Sequence, residues 1–345
     1  MKEIPDQQLK PEPWGFHLLG LGPVLAVIGG NVVGGAWVLS GIVYMLVIAP
    51  ILDLAFGKAT QPRPPRASGR PFEALLYVHA TLQFAAVCTL LYRAGLDAGH
   101  WTMWGGALST GVSSGVSGII VAHELGHRKP RSLGWWIGRL NLLTVLYLHF
   151  TTEHNHTHHR HVSTTMDPAS ARRGESLWAF VIRTIPSQFQ DAAQVHAIRG
   201  KTGLQNPVHR GAVVQIVVVA GVWSVMGIPA VSAFLAQALF AIFLLEYINY
   251  IRHYGLHREV GERQTEMHSW QSEERWSRWT LLELTRHPAH HLKASVPFWE
   301  LKPYPNAPTL PTGYYGCFWL AVVPPLWRRM VDGRIPSEIR NSAVD

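Results

Sequence analysis

Cysteine and charge are both scarce in this chain, and each scarcity removes a class of protein. Only Cys88 and Cys317 are present among the 345 residues, so the chain cannot build a disulfide framework, a cysteine-rich zinc site or an iron–sulfur cluster. An electron carrier that serves this chain must therefore be a separate protein. Charged residues make up 15% of the sequence and hydrophobic residues 48%, which leaves little charge to solvate a large surface.

Basic residues outnumber acidic ones, but they do not predict a nucleic-acid partner. The net charge is +8, yet the lysines and arginines lie in short loops beside long apolar runs, which is the positive-inside pattern of a membrane protein. The sequence has no basic helix and no interleaved aromatic platform, so we expect no nucleic-acid binding. The polar N-terminus lacks a cleavable signal pattern, and the first apolar run is expected to stay in the membrane.

Six apolar stretches are long enough to cross a membrane, and they predict an all-α, polytopic membrane fold. They pair into three hairpins, of which the last turns at Gly227-Ile228-Pro229, a strong turn signal. The predicted spans cover about residues 16–32, 34–56, 72–94, 101–122, 211–228 and 229–249.

The distribution of basic residues orients these spans. The loop 58–71 and the segment 128–131 are rich in lysine and arginine and should be cytoplasmic, whereas the turns at 95–100 and 227–229 should not. Six spans then place both termini in the cytoplasm. The segments 123–208 and 250–345 should form a helical cap on that side, so we predict one membrane domain over residues 1–345.

Histidines carry the strongest chemical signal in the sequence. Twelve of the 19 lie in four short stretches, 123–127, 154–161, 253–257 and 287–291. Imidazole is a common ligand of zinc, copper, iron and nickel, and so large a set implies more than one metal ion. All four stretches lie at or beyond the predicted cytoplasmic ends of helices. We therefore expect them to form one metal site.

The spacing within three of the stretches fits helical chelation. His123 and His127 lie at i and i+4, on one helix face, and should bind a single ion. Two triplets repeat this logic and should each place their nitrogens on one side of a helical turn; they are His154, His158 and His159, and His287, His290 and His291. Three further histidines in the stretches, His156, His161 and His257, are left open.

Two other kinds of protein use comparable histidines. His-Glu-Leu-Gly-His at 123–127 matches an intramembrane zinc protease with Glu124 as general base, but a protease needs one zinc and leaves the other stretches without a purpose. A metal carrier would need ligands strung along the spans instead of gathered at one end. Isolated histidines are left out of the site, namely His17, His79, His100, His149, His196 and His209.

The motifs around the histidines resemble the integral-membrane alkane 1-monooxygenases, or alkane omega-hydroxylases. That family belongs to the membrane di-iron superfamily of fatty-acid desaturases and hydroxylases. The resemblance extends from about residue 40 almost to the C-terminus. The main matching stretches are His-Glu-Leu-Gly-His-Arg at 123–128, Glu-His-Asn-His-Thr-His-His at 153–159, Asp-Pro-Ala-Ser-Ala-Arg at 167–172, Asn-Tyr-Ile-Arg-His-Tyr-Gly-Leu at 249–256 and Leu-Thr-Arg-His-Pro-Ala-His-His at 284–291.

The resemblance implies a non-haem site of two iron ions with O₂ as co-substrate, and no haem or flavin in this chain. The implied ligands are His123, His127, His154, His158, His159, His253, His287, His290 and His291. Carboxylates that could support them are Glu124, Glu153, Asp167 and Glu175. The chain departs from the family where Arg252 replaces the usual Glu, where Thr157 replaces Gly, and where Pro288-Ala289 replaces Ser-Asp.

The resemblance also implies a reaction and its partners. The reaction would be hydroxylation of the terminal methyl of medium to long n-alkanes, at the cytoplasmic side of the bacterial inner (cytoplasmic) membrane. Met45 stands where the family often has Trp, and its flexible side chain should admit longer substrates. Electrons would come from NADH through a rubredoxin reductase and an acidic rubredoxin. Basic residues that could steer that donor are Arg128, Lys129, Arg131, Arg172 and Arg173.

Two alternatives stay open within the superfamily. One is a sister hydroxylase that acts on another apolar methyl group, on an aromatic ring or a terpene. The other is an acyl-chain desaturase.

Overall fold

The structure is a computed structural model that describes residues 12–61 and 64–342. Within those ranges the chain is helical, and its only bridging backbone pairs are two isolated β-bridges. The helices in chain order are α1 (Trp14–Val33), α2 (Gly35–Phe56), α3 (Arg70–Leu96), α4 (Trp101–Gly126), α5 (Leu133–Thr144), α6 (150–161), α7 (Leu177–Ala197), α8 (Pro207–His253), α9 (Arg275–Thr280), α10 (His287–Leu292), α11 (Tyr314–Ala321), α12 (Pro324–Val331) and α13 (Ser337–Ser342).

Five of the described helices are long and apolar enough to cross a membrane. They are α1, α2, α3, α4 and α8, and the first four match the first four predicted spans closely. Local signals set several of their ends. Pro71 occupies the first turn of α3, where its missing N–H costs nothing, and the Asn206 side chain caps α8 by accepting a hydrogen bond from the Val208 N–H at 3.0 Å.

The fifth of these helices, α8, contains the two arms that the sequence predicts as separate spans. Gly227 has φ 79° and ψ −175°, a conformation that is essentially restricted to glycine. Leu148 N–H donates to the side chain of Gln215 before this point, and Gln237 after it donates to the carbonyl of Thr144, both at 2.7 Å. A straight helix would separate the two glutamines by roughly 33 Å. The chain therefore folds back at Gly227.

Hydrogen bonds between polar side chains connect the long helices where their apolar surfaces pack together. Gln83 of α3 donates to Ser114 of α4 at 2.9 Å, and Ser114 donates to Gln237 of α8 at 2.7 Å. Small residues permit close approach, since a Cβ added at Gly111 would lie 2.9 Å from the carbonyl oxygen of Gln237. Such packing is typical of helices in a membrane. It fixes α4 against α8, the two helices that end at predicted metal ligands.

A buried network of ion pairs holds the loop before α10. Arg286 pairs with Glu273 at 2.8 Å, and Arg278 pairs with Glu283 at 2.9 Å. His17 of α1 also contacts Glu283, at 3.0 Å. Buried charges need such partners, so the network fixes the segment that directly precedes His287. The N-terminal helix is thereby attached to the region that carries the predicted metal ligands.

Candidate metal centre

Four helix segments bring the predicted histidines together. The two longest helices involved, α4 and α8, end at the site. The short helix α6, which lies between them in the chain, and α10, which follows α8, complete it. The nine residues are His123 and His127 at the end of α4, His154, His158 and His159 on α6, His253 at the end of α8, and His287, His290 and His291 on α10.

The nine imidazoles form two groups of four with one histidine between them. In each group the four ligand nitrogens lie within 4.8 Å of one another. The first group is His123, His127, His154 and His290, and the second is His158, His253, His287 and His291. The Nε2 atom of His159 lies 3.0 Å from Nε2 of His154 and from Nε2 of His290, and its ring centroid lies 4.6 Å from that of His291.

The grouping on α6 and α10 differs from the one-sided arrangement expected from sequence. Residues His154–His158 form a π turn, which holds one residue more than an α turn. His154 therefore meets His159, while His158 joins the second group. On α10 the triplet is divided as well, because His290 belongs to the first group and its two neighbours to the second. Only the pair on α4 serves one group, as its spacing predicts.

The arrangement of the nitrogens is compatible with metal binding. Neighbouring Nε2 atoms lie 3.1 Å apart for His123 and His290, and 2.8 Å apart for His287 and His291. The Nε2 atoms of His127 and His158 have no hydrogen-bond partner among the described residues, although buried polar atoms are normally satisfied. Converging imidazole lone pairs with no protein donor suit transition-metal ions such as iron, zinc or copper. The donor set therefore fits one such ion in each group.

Burial keeps these ligands neutral, which is the form that binds a metal. Burial lowers the pKa of His127 to about 4. Burial, and after it the positive charge of Arg252, holds the pKa of His287 well below its ordinary value. The same direction applies, with burial first and neighbouring imidazoles second, to the pKa of His154, His159, His290 and His291.

Asp167 orients one ligand. Its Oδ2 accepts a hydrogen bond from Nδ1 of His158 at 2.9 Å and another from the Ser170 hydroxyl at 2.6 Å. Its Oδ1 accepts from the Ala169 N–H at 3.0 Å. Burial acts to raise the pKa of Asp167, but the interaction with His158 and the hydrogen bond from Ser170 lower it overall. The carboxylate thus directs the Nε2 lone pair of His158 toward the second group.

The other three predicted carboxylates have different surroundings. Glu153 is buried beside the site, its Oε1 has no partner among the described residues, and burial followed by the nearby Asp167 raises its pKa well above the usual range. Glu124 accepts the Phe298 N–H at 3.3 Å, which is not the position of a general base at a zinc-bound water. Glu175 pairs with Arg183 at 2.8 Å, an ordinary ion pair.

One buried carboxylate near the site was not predicted. Glu246 of α8 accepts hydrogen bonds from Gln188 at 2.8 Å, from Tyr147 at 3.1 Å and from Asn249 at 3.1 Å. It lies two helical turns before His253, on the same helix face. That spacing was the available signal.

An apolar cavity reaches the first histidine group. His123, His154, Asn249 and Arg252 line it near the metal ligands. Its walls also contain Val112, 11 residues before His123 on α4, so they extend roughly 16 Å back along that helix. Met45, Leu244 and other apolar side chains complete them. Met45 is 5% exposed and faces this cavity.

The predicted docking residues lie in the loops that follow α4 and precede α7. Four of the five are exposed, and Arg128 is half-buried and lies 3.7 Å from Glu73. The exposed four are Lys129, Arg131, Arg172 and Arg173.

Histidines outside the nine lie apart from both groups. His17 contacts Glu283 at 3.0 Å and His79 contacts Ser117 at 2.9 Å, so both have partners away from the two groups. Among the three that were left open, His156 is exposed and His257 lies 3.3 Å from Glu259. The third of them, His161, is half-buried and belongs to neither group.

Comparison with known proteins gives consistent relatives. The fatty acid desaturase family matches residues 99–321. Alkane 1-monooxygenase 1 of Pseudomonas aeruginosa is 35% identical over 87% of this chain and 83% of its own length. The alkane 1-monooxygenase of Ectopseudomonas oleovorans is 33% identical over 86% of this chain and 79% of its own length. The xylene/toluene monooxygenase hydroxylase component of Pseudomonas putida is 31% identical over 65% of this chain and 62% of its own length.

Proposed function

The chain belongs to the fatty acid desaturase family and, within it, to the alkane 1-monooxygenases, and from this membership we propose that it hydroxylates the terminal methyl of medium to long n-alkanes to 1-alkanols. The observation that carries the proposal is the pair of imidazole groups, with four ligand nitrogens in each. We assign one iron to each group, and His159 to the space between them. Two bound irons would activate O₂ for an attack on an unactivated C–H bond, which no side chain can perform.

The protein side of this reaction is positioning and the exclusion of water. The apolar walls of the cavity would accept an alkyl chain from the bilayer and direct its end toward His123 and His154. Burial of nearly all the ligands keeps bulk water from the reacting carbon. Asp167 holds His158 in the tautomer that a metal requires, and Glu153 and Glu246 are further buried carboxyl groups near the site.

Six membrane crossings with a cytoplasmic cap are part of the proposal. The reversal at Gly227 supports the division of α8 into two crossings, and the basic loops support a cytoplasmic position for the cap. The protein would then be a single-domain enzyme of the bacterial inner membrane with its active site facing the cytoplasm.

A separate electron donor is required, and we propose rubredoxin, supplied by an NADH-dependent rubredoxin reductase. The exposed basic residues beside α4 and α7 would attract its acidic surface. Reversal of charge at Lys129 and Arg131 should raise the KM for rubredoxin at low salt and leave kcat nearly unchanged. An unchanged KM would exclude this docking surface.

Iron analysis with Mössbauer spectroscopy, together with octane turnover, tests the function directly. The purified protein should contain iron in both groups. With NADH, rubredoxin and its reductase it should convert octane to 1-octanol. His123→Ala should lose iron and activity, whereas His156→Ala, an exposed histidine outside both groups, should retain them. Zinc in place of iron, with no NADH-dependent hydrocarbon oxidation, would refute the proposal.

A second candidate substrate is an aromatic methyl group. The similarity to a xylene/toluene monooxygenase component favours it, as do the departures at Arg252 and Pro288-Ala289 beside two ligands. Competition between octane and p-xylene in one assay decides between them, because the preferred substrate has the higher kcat/KM.

A further inference from the structure

Arg252 is a buried cation in the wall of the apolar cavity. It is 3% exposed, its Nε donates to the Tyr314 hydroxyl at 3.1 Å, and one Nη donates to the Leu284 carbonyl at 3.3 Å. Both acceptors are neutral. Within the described part of the chain, no carboxylate forms an ion pair with Arg252. A buried charge normally has such a partner, because its removal from water is costly.

The other buried arginines show that this arrangement is unusual within the protein. Arg278 and Arg286 each pair with buried glutamates at 2.9 and 2.8 Å. Arg258 forms no ion pair with a carboxylate in the described part of the chain, but it donates to three backbone carbonyls. Arg252 has five N–H groups and only two acceptors among the described residues. Its guanidinium therefore retains capacity for a further acceptor.

Arg252 and both of its acceptors, Tyr314 and Leu284, line the cavity, together with His123 and Asn249. Among the side chains that line it, Arg252 alone carries a fixed positive charge, and there is no Asp or Glu. The opposite walls are apolar. The space therefore combines a cationic end with a long hydrocarbon-like wall, which is complementary to an amphiphile with an anionic head.

We propose that the end of this cavity beside Arg252 is a carboxylate subsite, and that the cavity binds medium- to long-chain fatty acids head first. The free edge of the guanidinium would receive the carboxylate, the geometry in which arginine binds most strongly. The alkyl chain would lie along the wall formed by α4 and α8. This inference rests on the proposed function in one respect, since it places the fatty acid in the cavity assigned to the alkane.

The consequence is competition at the active site. A carboxylate at Arg252 occupies the space beside His123 into which an alkane methyl must move. Fatty acids are the carboxylic acids that form when 1-alkanols are oxidised further. The enzyme would therefore be inhibited by the acid that forms when its own product, the 1-alkanol, is oxidised further.

Binding without turnover tests the subsite. Purified full-length protein in detergent, with no reductant, is equilibrated with tritiated dodecanoate or with tritiated dodecan-1-ol, a neutral ligand of the same chain length. Wild type should bind dodecanoate more tightly than the alcohol. Arg252→Gln should weaken dodecanoate binding about tenfold or more, the size expected for a lost charged hydrogen bond, and change alcohol binding by less than about threefold.

Arg139→Gln is the matched control. Arg139 lies on α5, stacks on Trp135 at 5.0 Å and lines a different cavity, so its removal should leave both affinities unchanged. If Arg252→Gln does not fold, as judged by size-exclusion chromatography, Arg252→Lys should keep the preference for dodecanoate over dodecan-1-ol. Equal binding of the two ligands by wild type, or an equal loss of both in Arg252→Gln, would overturn the subsite.

Steady-state kinetics separate this inference from the proposed function. With the iron-loaded enzyme, dodecanoate should raise the apparent KM for octane without changing kcat. A protein that binds dodecanoate through Arg252 but oxidises no alkane would refute the function and leave the subsite intact. An active alkane hydroxylase whose dodecanoate affinity does not depend on Arg252 would refute the subsite alone.

Discussion

Asp167→Asn should weaken iron binding although it changes only one atom. The Oδ2 atom of Asp167 accepts hydrogen bonds from His158 and Ser170, and Oδ1 accepts from the Ala169 N–H. An amide replaces one of these acceptors with a donor. If the NH₂ takes the place of Oδ1, it faces the Ala169 N–H; if it takes the place of Oδ2, it faces His158. Either orientation loses a bond inside the fold.

The magnitude follows from the charge of the bond. A hydrogen bond to a charged group contributes roughly 1.5–3 kcal/mol, and loss of a carboxylate behind a ligating histidine commonly lowers metal affinity about 10- to 100-fold. We expect the Fe²⁺ dissociation constant of Asp167→Asn, measured by competition with a chelator, to rise within that range. Octane turnover should fall with it and recover in part at high iron concentration.

Glu175→Gln is the control for this prediction. Glu175 is a nearby carboxylate in the same segment, but it pairs with Arg183 and contacts no histidine among the described residues. The iron affinity of Glu175→Gln should equal that of wild type. A folded Asp167→Asn protein whose iron affinity stays within about twofold of wild type would refute the role given to Asp167.

His159→Ala should reduce the iron content of both groups, because its Nε2 lies 3.0 Å from two nitrogens of the first group and its ring contacts His291 of the second; His161→Ala, measured beside it by metal analysis, should not. Met45→Trp should shift the preferred alkane to shorter chains by filling the cavity that Met45 lines, and an unchanged product distribution would contradict that role. Gly227→Ala should destabilise the protein by about 1–3 kcal/mol, since its φ is 79°. Gly221→Ala, which meets nothing within 4 Å, should be neutral in the same thermal unfolding assay.

The sequence predicts the long helices and the set of histidines well, because both depend on local patterns. Apolar length identifies α1 to α4, and Gly227-Ile228-Pro229 identifies the reversal in α8. The division of the histidines into two groups is not predictable in this way. A π turn has no simple composition signal, and its position on α6 depends on how that helix packs against its neighbours.

Buried polar partners are the other feature that sequence reasoning misses. Glu246 is recognisable as a buried, hydrogen-bonded carboxylate only when the packing of α7 and the Tyr147 loop against α8 is known. From sequence, Arg252 is only a substitution beside a predicted ligand. That its charge has no carboxylate partner among the described residues becomes evident only from the side chains that surround it. Both depend on contacts between segments far apart in the chain.

The π turn on α6 divides its histidine triplet. His154 belongs to the first group, the middle member His158 to the second, and His159 belongs to neither and contacts both. The triplet on α10 is divided as well, with its middle member His290 in the first group and its two outer histidines in the second. Each helix thus supplies a ligand to both groups. Because an ion in one group restrains a ligand of both helices, we expect the two irons to bind cooperatively, and protein with a single iron to be rare during loading.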